Sequence, residues 1–104
     1  MDPSDLALDA LRSPTRRGVL HLLVGGPQPV GALAEPLGVS RPAISQHLRQ
    51  LEAARLVQFS AEGRRHLYQL HPDGFQAARQ WLDTLWPLAL DRYALLAEQT
   101  WEPR

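Results

Sequence analysis

Apolar residues recur at helical spacing in four stretches up to about residue 54, alternate with polar ones from 57 to 70, and return to helical spacing until about residue 100. Leu6, Leu8 and Leu11 mark a short first helix that opens at Asp2-Pro3-Ser4. Ser13 can cap a second helix with Pro14 in its first position, and Val19, Leu20, Leu22 and Leu23 give that helix a broad apolar face. Gly25-Gly26-Pro27 stops it. A third helix is expected over 30–37 with Leu33, Ala34 and Leu37 inward, and Pro36, which removes a backbone bond, predicts an early end for it. A fourth is expected over about 41–54. In it Ile44, Leu48 and Leu51 stand at i, i+4 and i+7, one stripe for burial, while Arg41, Pro42, Ser45, Gln46 and Arg49 occupy the opposite face.

The third and fourth helices are joined by a glycine turn. Ala34 is small where two helices cross closely, Gly38 supplies a residue for which φ > 0 costs little, and Ile44 anchors the second helix. Ser40 can accept from the orphan N–H groups of that helix, and Pro42 falls in its first turn, where a missing donor matters least. A helix, a tight turn and a second helix with a polar outer face is how a chain presents side chains to the edges of DNA bases. The alternation that follows, Val57 and Phe59 against Gln58 and Ser60, then Tyr68 and Leu70 against Leu67 and Gln69, predicts two strands joined at Ala61-Glu62-Gly63-Arg64. Such a hairpin after a helix-turn-helix is a wing, here with arginines at and just beyond its tip.

The last helical stretch is long for so small a chain. Phe75, Ala78, Leu82, Leu85 and Ala89 form one stripe, widened by Trp81, Leu88 and Leu95, and Pro87 predicts a kink. That is more apolar surface than the chain's own core can cover, and a second copy of the chain is the natural cover. The whole of 1–104 reads as a single, mainly α winged-helix domain of about five helices and a two-stranded wing. Its helix-turn-helix lies at about 30–54, its wing at about 57–70 and a dimerisation helix at about 72–100.

Composition narrows the function. The 104 residues are 44% hydrophobic and 21% charged, with no cysteine, so disulfides and thiolate metal sites are excluded. The acidic start MDPSDLALDAL is not a signal peptide, and the apolar run from Gly18 to Gly26 is too short to span a membrane and contains His21. A cytoplasmic location is the expectation. Net charge is zero, but its distribution is uneven. Residues 41–65 carry Arg41, Arg49, Arg55, Arg64 and Arg65 against Glu52 and Glu62, a net +3, whereas both flanks are slightly negative. Every basic residue is arginine. That suits phosphate and guanine contacts, but genomic base composition is the favoured account of it.

In this order the elements resemble the ArsR/SmtB family of winged-helix bacterial transcriptional repressors. The resemblance rests on residues 11–17 (LRSPTRR), Leu33-Ala34 with Leu37-Gly38-Val39-Ser40, residues 43–51 (AISQHLRQL), Leu56-Val57, and Gly63-Arg64-Arg65 with Tyr68 and Leu70. It covers nearly the whole chain and implies a homodimer built through the first and last helices. Metal-sensing relatives carry a cysteine cluster on the third helix, where this chain reads Leu33-Ala34-Glu35-Pro36-Leu37. Others place paired His and acidic ligands on the last helix, which here has Asp73, Asp83, Asp91 and Glu98 but no internal His. The resemblance is therefore to the non-metal branch, whose last helix shares the pattern of Trp81-Leu82 and Trp86.

The expected DNA-binding residues are Ser40, Arg41, Pro42, Ser45, Gln46, His47, Arg49, Arg64 and Arg65. Gln46 suits adenine, Arg49 guanine or phosphate, Arg41 phosphate, and Arg64 and Arg65 the minor groove or backbone. The competing reading of this face is a solvated helix surface. His47 reads equally as a base contact or as packing at the helix edge. Arg16 and Arg17 read as phosphate contacts or as ordinary surface charge, and His21 as a packed structural histidine. His66 and His71 flank the second strand; His71 with Asp73 is too small a set for a specific metal site. Trp81, Trp86, Tyr93 and Trp101 read as dimer core rather than as an effector pocket. No nucleophile elbow, phosphate loop or metal triad is present, so an enzyme is not expected, nor any cofactor or metal. Expected partners are double-stranded DNA and a second copy, with no membrane and any small-molecule effector left open. The rival readings are a winged helix that docks protein without DNA, and a metal- or small-molecule-responsive sensor of the same fold.

Overall fold

Side-chain oxygens start three of the helices. In a computed structural model, which describes residues 1–100, Asp2 accepts from the N–H of Asp5 at the head of α1 (Pro3–Ala10), Ser13 from that of Arg16 at α2 (Pro14–Leu23), and Ser40 from that of Ala43 at α4 (Arg41–Ala53). Each is followed by proline in the first turn, as expected for helix N-termini. The remaining elements are α3 (Val30–Leu37), the antiparallel pair β1 (Val57–Glu62) and β2 (Arg65–Leu70), and α5 (Pro72–Thr100).

Pro36 does not end α3 early, and α5 runs as one helix through Pro87. In both cases the residue four back, Ala32 or Asp83, is exposed, so water can take the carbonyl that proline leaves without a donor. Gly38 then closes α3 in the left-handed conformation (φ 65°), with its own N–H donating to Glu35 and that of Val39 to Ala34. The end of α4 repeats this closure with no glycine. Arg55 takes φ 56°, its N–H donates to Glu52, and that of Leu56 reaches back to Leu51 at 2.9 Å. Both helices of the pair thus end in the same hydrogen-bonded motif.

The core is small and central. Val19, Leu33, Ile44, Leu48, Leu51, Leu56 and Val57 are enclosed, joined by Ala7, Ala10, Ala34, Ala54 and Ala78. The first helix therefore packs its alanines inward, while Leu6 is exposed and Leu8 only half-buried. Small residues let α1 and α5 approach closely. A second close approach, of α5 to the end of α4, is at Gly74: its N–H donates to the Arg55 carbonyl at 2.8 Å, and a β-carbon there would overlap the Ala54 carbonyl oxygen and come within 2.7 Å of that of Arg55.

The strands pair in one register, Val57 opposite Leu70 through Glu62 opposite Arg65. A third segment, which the alternation pattern does not reveal, joins them: Gln28 exchanges two backbone bonds of 2.9 Å with Tyr68. Beyond its first two turns α5 leaves the body. Leu82, Leu85, Trp86, Leu88, Leu90, Tyr93 and Leu95 are all exposed, Leu88 by 67%. The radius of gyration is 18.4 Å, against about 13 Å for a compact chain of this length, and the longest dimension is 64 Å. Trp101 lies outside the described residues.

Two substitutions test the joints. Gly74→Ala should destabilise the fold by about 1–3 kcal/mol, the range for overpacking. Arg55→Gly should stabilise it by about 1 kcal/mol, because it relieves a left-handed non-glycine residue while the Asp73 pair it loses is solvent-exposed. Thermal or urea unfolding reads both. The Asp2 carboxyl is held below the ordinary carboxylate range, first by the Ser4 hydroxyl and then by the Asp5 N–H. Its contribution is therefore present at neutral pH and lost as pH falls through that lowered value. Asp2→Ala should lower the melting temperature at pH 7, and the difference from the parent chain should shrink on strong acidification.

Candidate nucleic-acid interface

The site begins with the buried side of α4. Ile44, Leu48 and Leu51 are each 0% exposed, which fixes the side of the helix that faces the core. The opposite side consequently faces solvent: Arg41, Pro42, Gln46 and Arg49 are exposed and Ser45 is half-buried. Ser40 is exposed too, but its hydroxyl is engaged as the cap, accepting from the Ala43 N–H at 3.2 Å. Arg41 lies back across the first turn of α3, where its Nη2 would stand 2.7 Å from a β-carbon on Gly31. His47 is half-buried at the edge of α4, with Nδ1 enclosed and without a partner, so any outward contact falls to its other ring nitrogen.

The hairpin carries the second group. Arg64 sits in the turn and Arg65 opens β2 opposite Glu62; both are exposed. Among the described residues Arg41, Arg49, Arg64 and Arg65 have no carboxylate within salt-bridge distance. Below the tip, Phe59 sets its ring edge-on to His66 (5.2 Å) and Tyr68 (5.7 Å). Phe59 is nonetheless 44% exposed: only the base of β1, at Val57, reaches the core. Arg49 and Glu52 of α4 act electrostatically on Tyr68, whose hydroxyl is pushed up mainly by burial, so α4 and the wing base are neighbours.

Three side chains, Arg16, His21 and Arg55, depart from their expected places, while Arg17 keeps a surface position. Arg16 is neither a surface charge nor free for phosphate: it is buried, and its guanidinium bonds the Ala10 and Asp9 carbonyls and Gln50. Arg17 is exposed, yet it donates to the carbonyls of Leu11 and Arg12. His21 is exposed rather than packed, because Val19, Leu20 and Leu23 take the inward positions of α2. Arg55, part of the +3 segment, turns instead to Asp73 at 3.5 Å. His71 caps α5, its Nδ1 accepting from the Asp73 N–H at 3.2 Å. Among the described residues no group of three or more His, Cys, Asp or Glu could share a metal ion, and no helix is long and apolar enough to cross a membrane.

Comparison with known proteins decides the family. The HTH-type transcriptional regulator Rv2034 of Mycobacterium tuberculosis is 49% identical over 94 residues, covering 90% of this chain and 88% of that one. Residues 13–58 match the bacterial regulatory proteins of the arsR family. The chain belongs to the arsR family. The transcriptional repressor SdpR of Bacillus subtilis is 36% identical to this arsR-family chain over 70% of its length and 81% of the relative's. A solution structure of the homodimeric winged helix-turn-helix DNA-binding domain of Mb0332 from Mycobacterium bovis superposes with a TM-score of 0.65. It is 27% identical and covers 98% of this chain and 89% of that one. The arsR-family chain is thus a transcriptional regulator with a winged helix-turn-helix, not an enzyme.

Ser40→Ala should cost about 1 kcal/mol of stability through the lost cap, and Ser40→Asp should restore it, since aspartate caps equally well at a helix N-terminus. Unfolding curves of the three proteins check this.

Proposed function

We propose that this regulator is a cytoplasmic homodimer that represses transcription by occupying promoter DNA. Helix α4 enters the major groove with Ser45, Gln46 and Arg49 toward base edges and His47 at its margin. Ser40, Arg41 and Pro42 lie against the backbone at its N-terminus, and Arg64 and Arg65 of the wing take phosphate or the minor groove. The observation that carries this reading is the enclosure of Ile44, Leu48 and Leu51, which turns a polar face outward whose arginines form no salt bridge among the described residues. The dimer reading rests on α5, whose exposed leucines and tryptophans extend beyond the body beside α1. The homodimeric state of the Mycobacterium bovis domain supports it, as the repressor named in Bacillus subtilis supports repression. Two such copies would set their recognition helices about 34 Å apart on a pseudo-palindrome.

A gel-shift assay with the gene's own upstream DNA, and with a selected random library, tests the proposal; no complex with either at low salt overturns it. Gln46→Ala or Arg49→Ala should relax sequence preference, each lost base contact removing about 1–3 kcal/mol of discrimination. Arg64→Ala with Arg65→Ala should weaken all sequences alike and lower the salt slope by about 2.

A further inference from the structure

Among the described residues Arg16 is the one buried charged side chain, and it has no carboxylate partner. The nearest acidic residue in its contact set, Asp9, gives it only a backbone carbonyl, while the Asp9 carboxylate stands 3.7 Å from Arg12. Three acceptors hold the guanidinium instead: Nε donates to Ala10 O at 2.7 Å, Nη2 to Asp9 O at 3.4 Å and Nη1 to Gln50 Oε1 at 2.5 Å. The first two are carbonyls at the C-terminal end of α1, where the helix dipole favours a cation. The third belongs to α4. A leucine there would take these donors from the Ala10 and Asp9 carbonyls, so cohesion accounts for the first two bonds, but it does not call for the third, to a side chain of α4. What arginine adds is a rigid planar fork that fixes two helices at one angle to each other.

We infer that Arg16 is a positioning residue, whose bond to Gln50 sets the tilt of the recognition helix relative to the α1–α5 platform. Gln50 lies one helical turn from Gln46, on the same side of α4. Through it, α1 reaches the recognition face without itself touching DNA. The inference rests on the proposed dimer: α1 packs on α5, so a fixed angle between α1 and α4 in each copy becomes a fixed separation of two recognition helices. A lone half-site does not sense that separation, and a full site does.

The test uses the full chain with Gln50→Leu, which removes the acceptor and leaves the proposed DNA-contacting residues and the α5 surface unchanged. Arg16→Lys, which keeps the charge and loses the fork, serves as the second variant. Sedimentation gives the dimerisation constant. Titration against a full operator, a single half-site and operators with altered half-site spacing gives the rest. The parent chain should prefer one spacing. Gln50→Leu should dimerise and bind the half-site as the parent does, lose about tenfold on the full site, and discriminate less between spacings. Gln50→Glu, which retains an acceptor but adds a charge that weakens binding to every site, should recover the parent's full-to-half-site ratio and spacing preference. A lower melting temperature with an unchanged full-to-half-site ratio and spacing preference would make Arg16 structural only, and overturn the inference. A parent chain that is monomeric, or that ignores DNA, overturns the proposed function and this inference with it.

Discussion

Three side chains on one side of α4 hold the molecule's working surface in place. Ile44, Leu48 and Leu51 are completely enclosed among Val19, Leu33, Leu56 and Val57, so turning the helix by even one residue would drive a polar or charged group into the core. The cost of burying such a group unpaired exceeds anything the outer face could gain. Both ends of the helix are tied as well. Ser40 and the left-handed Gly38 fix where it starts, and the left-handed Arg55 fixes where it stops. The outward face of α4, proposed as the recognition surface, is therefore a consequence of core packing rather than of any property of its own residues.

A division of labour along the chain follows. The body holds α4 on one side and lets α5 run out from another, so the molecule measures 64 Å in its longest direction. The two ends carry opposite surfaces: unpaired arginines around α4 and the wing, apolar side chains along α5. Between them stands Arg16, bonded to the carbonyl end of α1 and to Gln50 of α4. A joint of this kind links the surface that a second copy would cover to the surface that would meet DNA.

Charge illustrates why placement outweighs totals. The chain is neutral, and the +3 of residues 41–65 counts five arginines alike. The fold separates them. Arg55 turns to Asp73 near the start of α5, while among the described residues Arg41, Arg49, Arg64 and Arg65 form no salt bridge. Arg16, from the second helix, donates to two backbone carbonyls and to Gln50, and Arg17 to the carbonyls of Leu11 and Arg12. Local potential depends on which cations remain free, and four of them share the polar side of this molecule.

Local sequence determined the order of the elements and the buried stripe of α4 through hydrophobic spacing, and the caps at Ser13 and Ser40 and the turn at Gly38 through residue type, because each depends on residues within a few positions of one another. The outward face of α4, with Gln46 and Arg49 on it, was legible for the same reason: it is the complement of the stripe. Tertiary structure decided what needs partners far away in the chain. The backbone pairing of Gln28 with Tyr68, the burial of Arg16 against Gln50 and the close approach that only Gly74 permits join segments tens of residues apart, and no local period encodes them. The exposure of His21 and Phe59, and the inward turn of alanines rather than leucines in α1, follow from which neighbour each helix or strand meets. Periodicity names a face for burial; the surface waiting opposite it settles which residues go in.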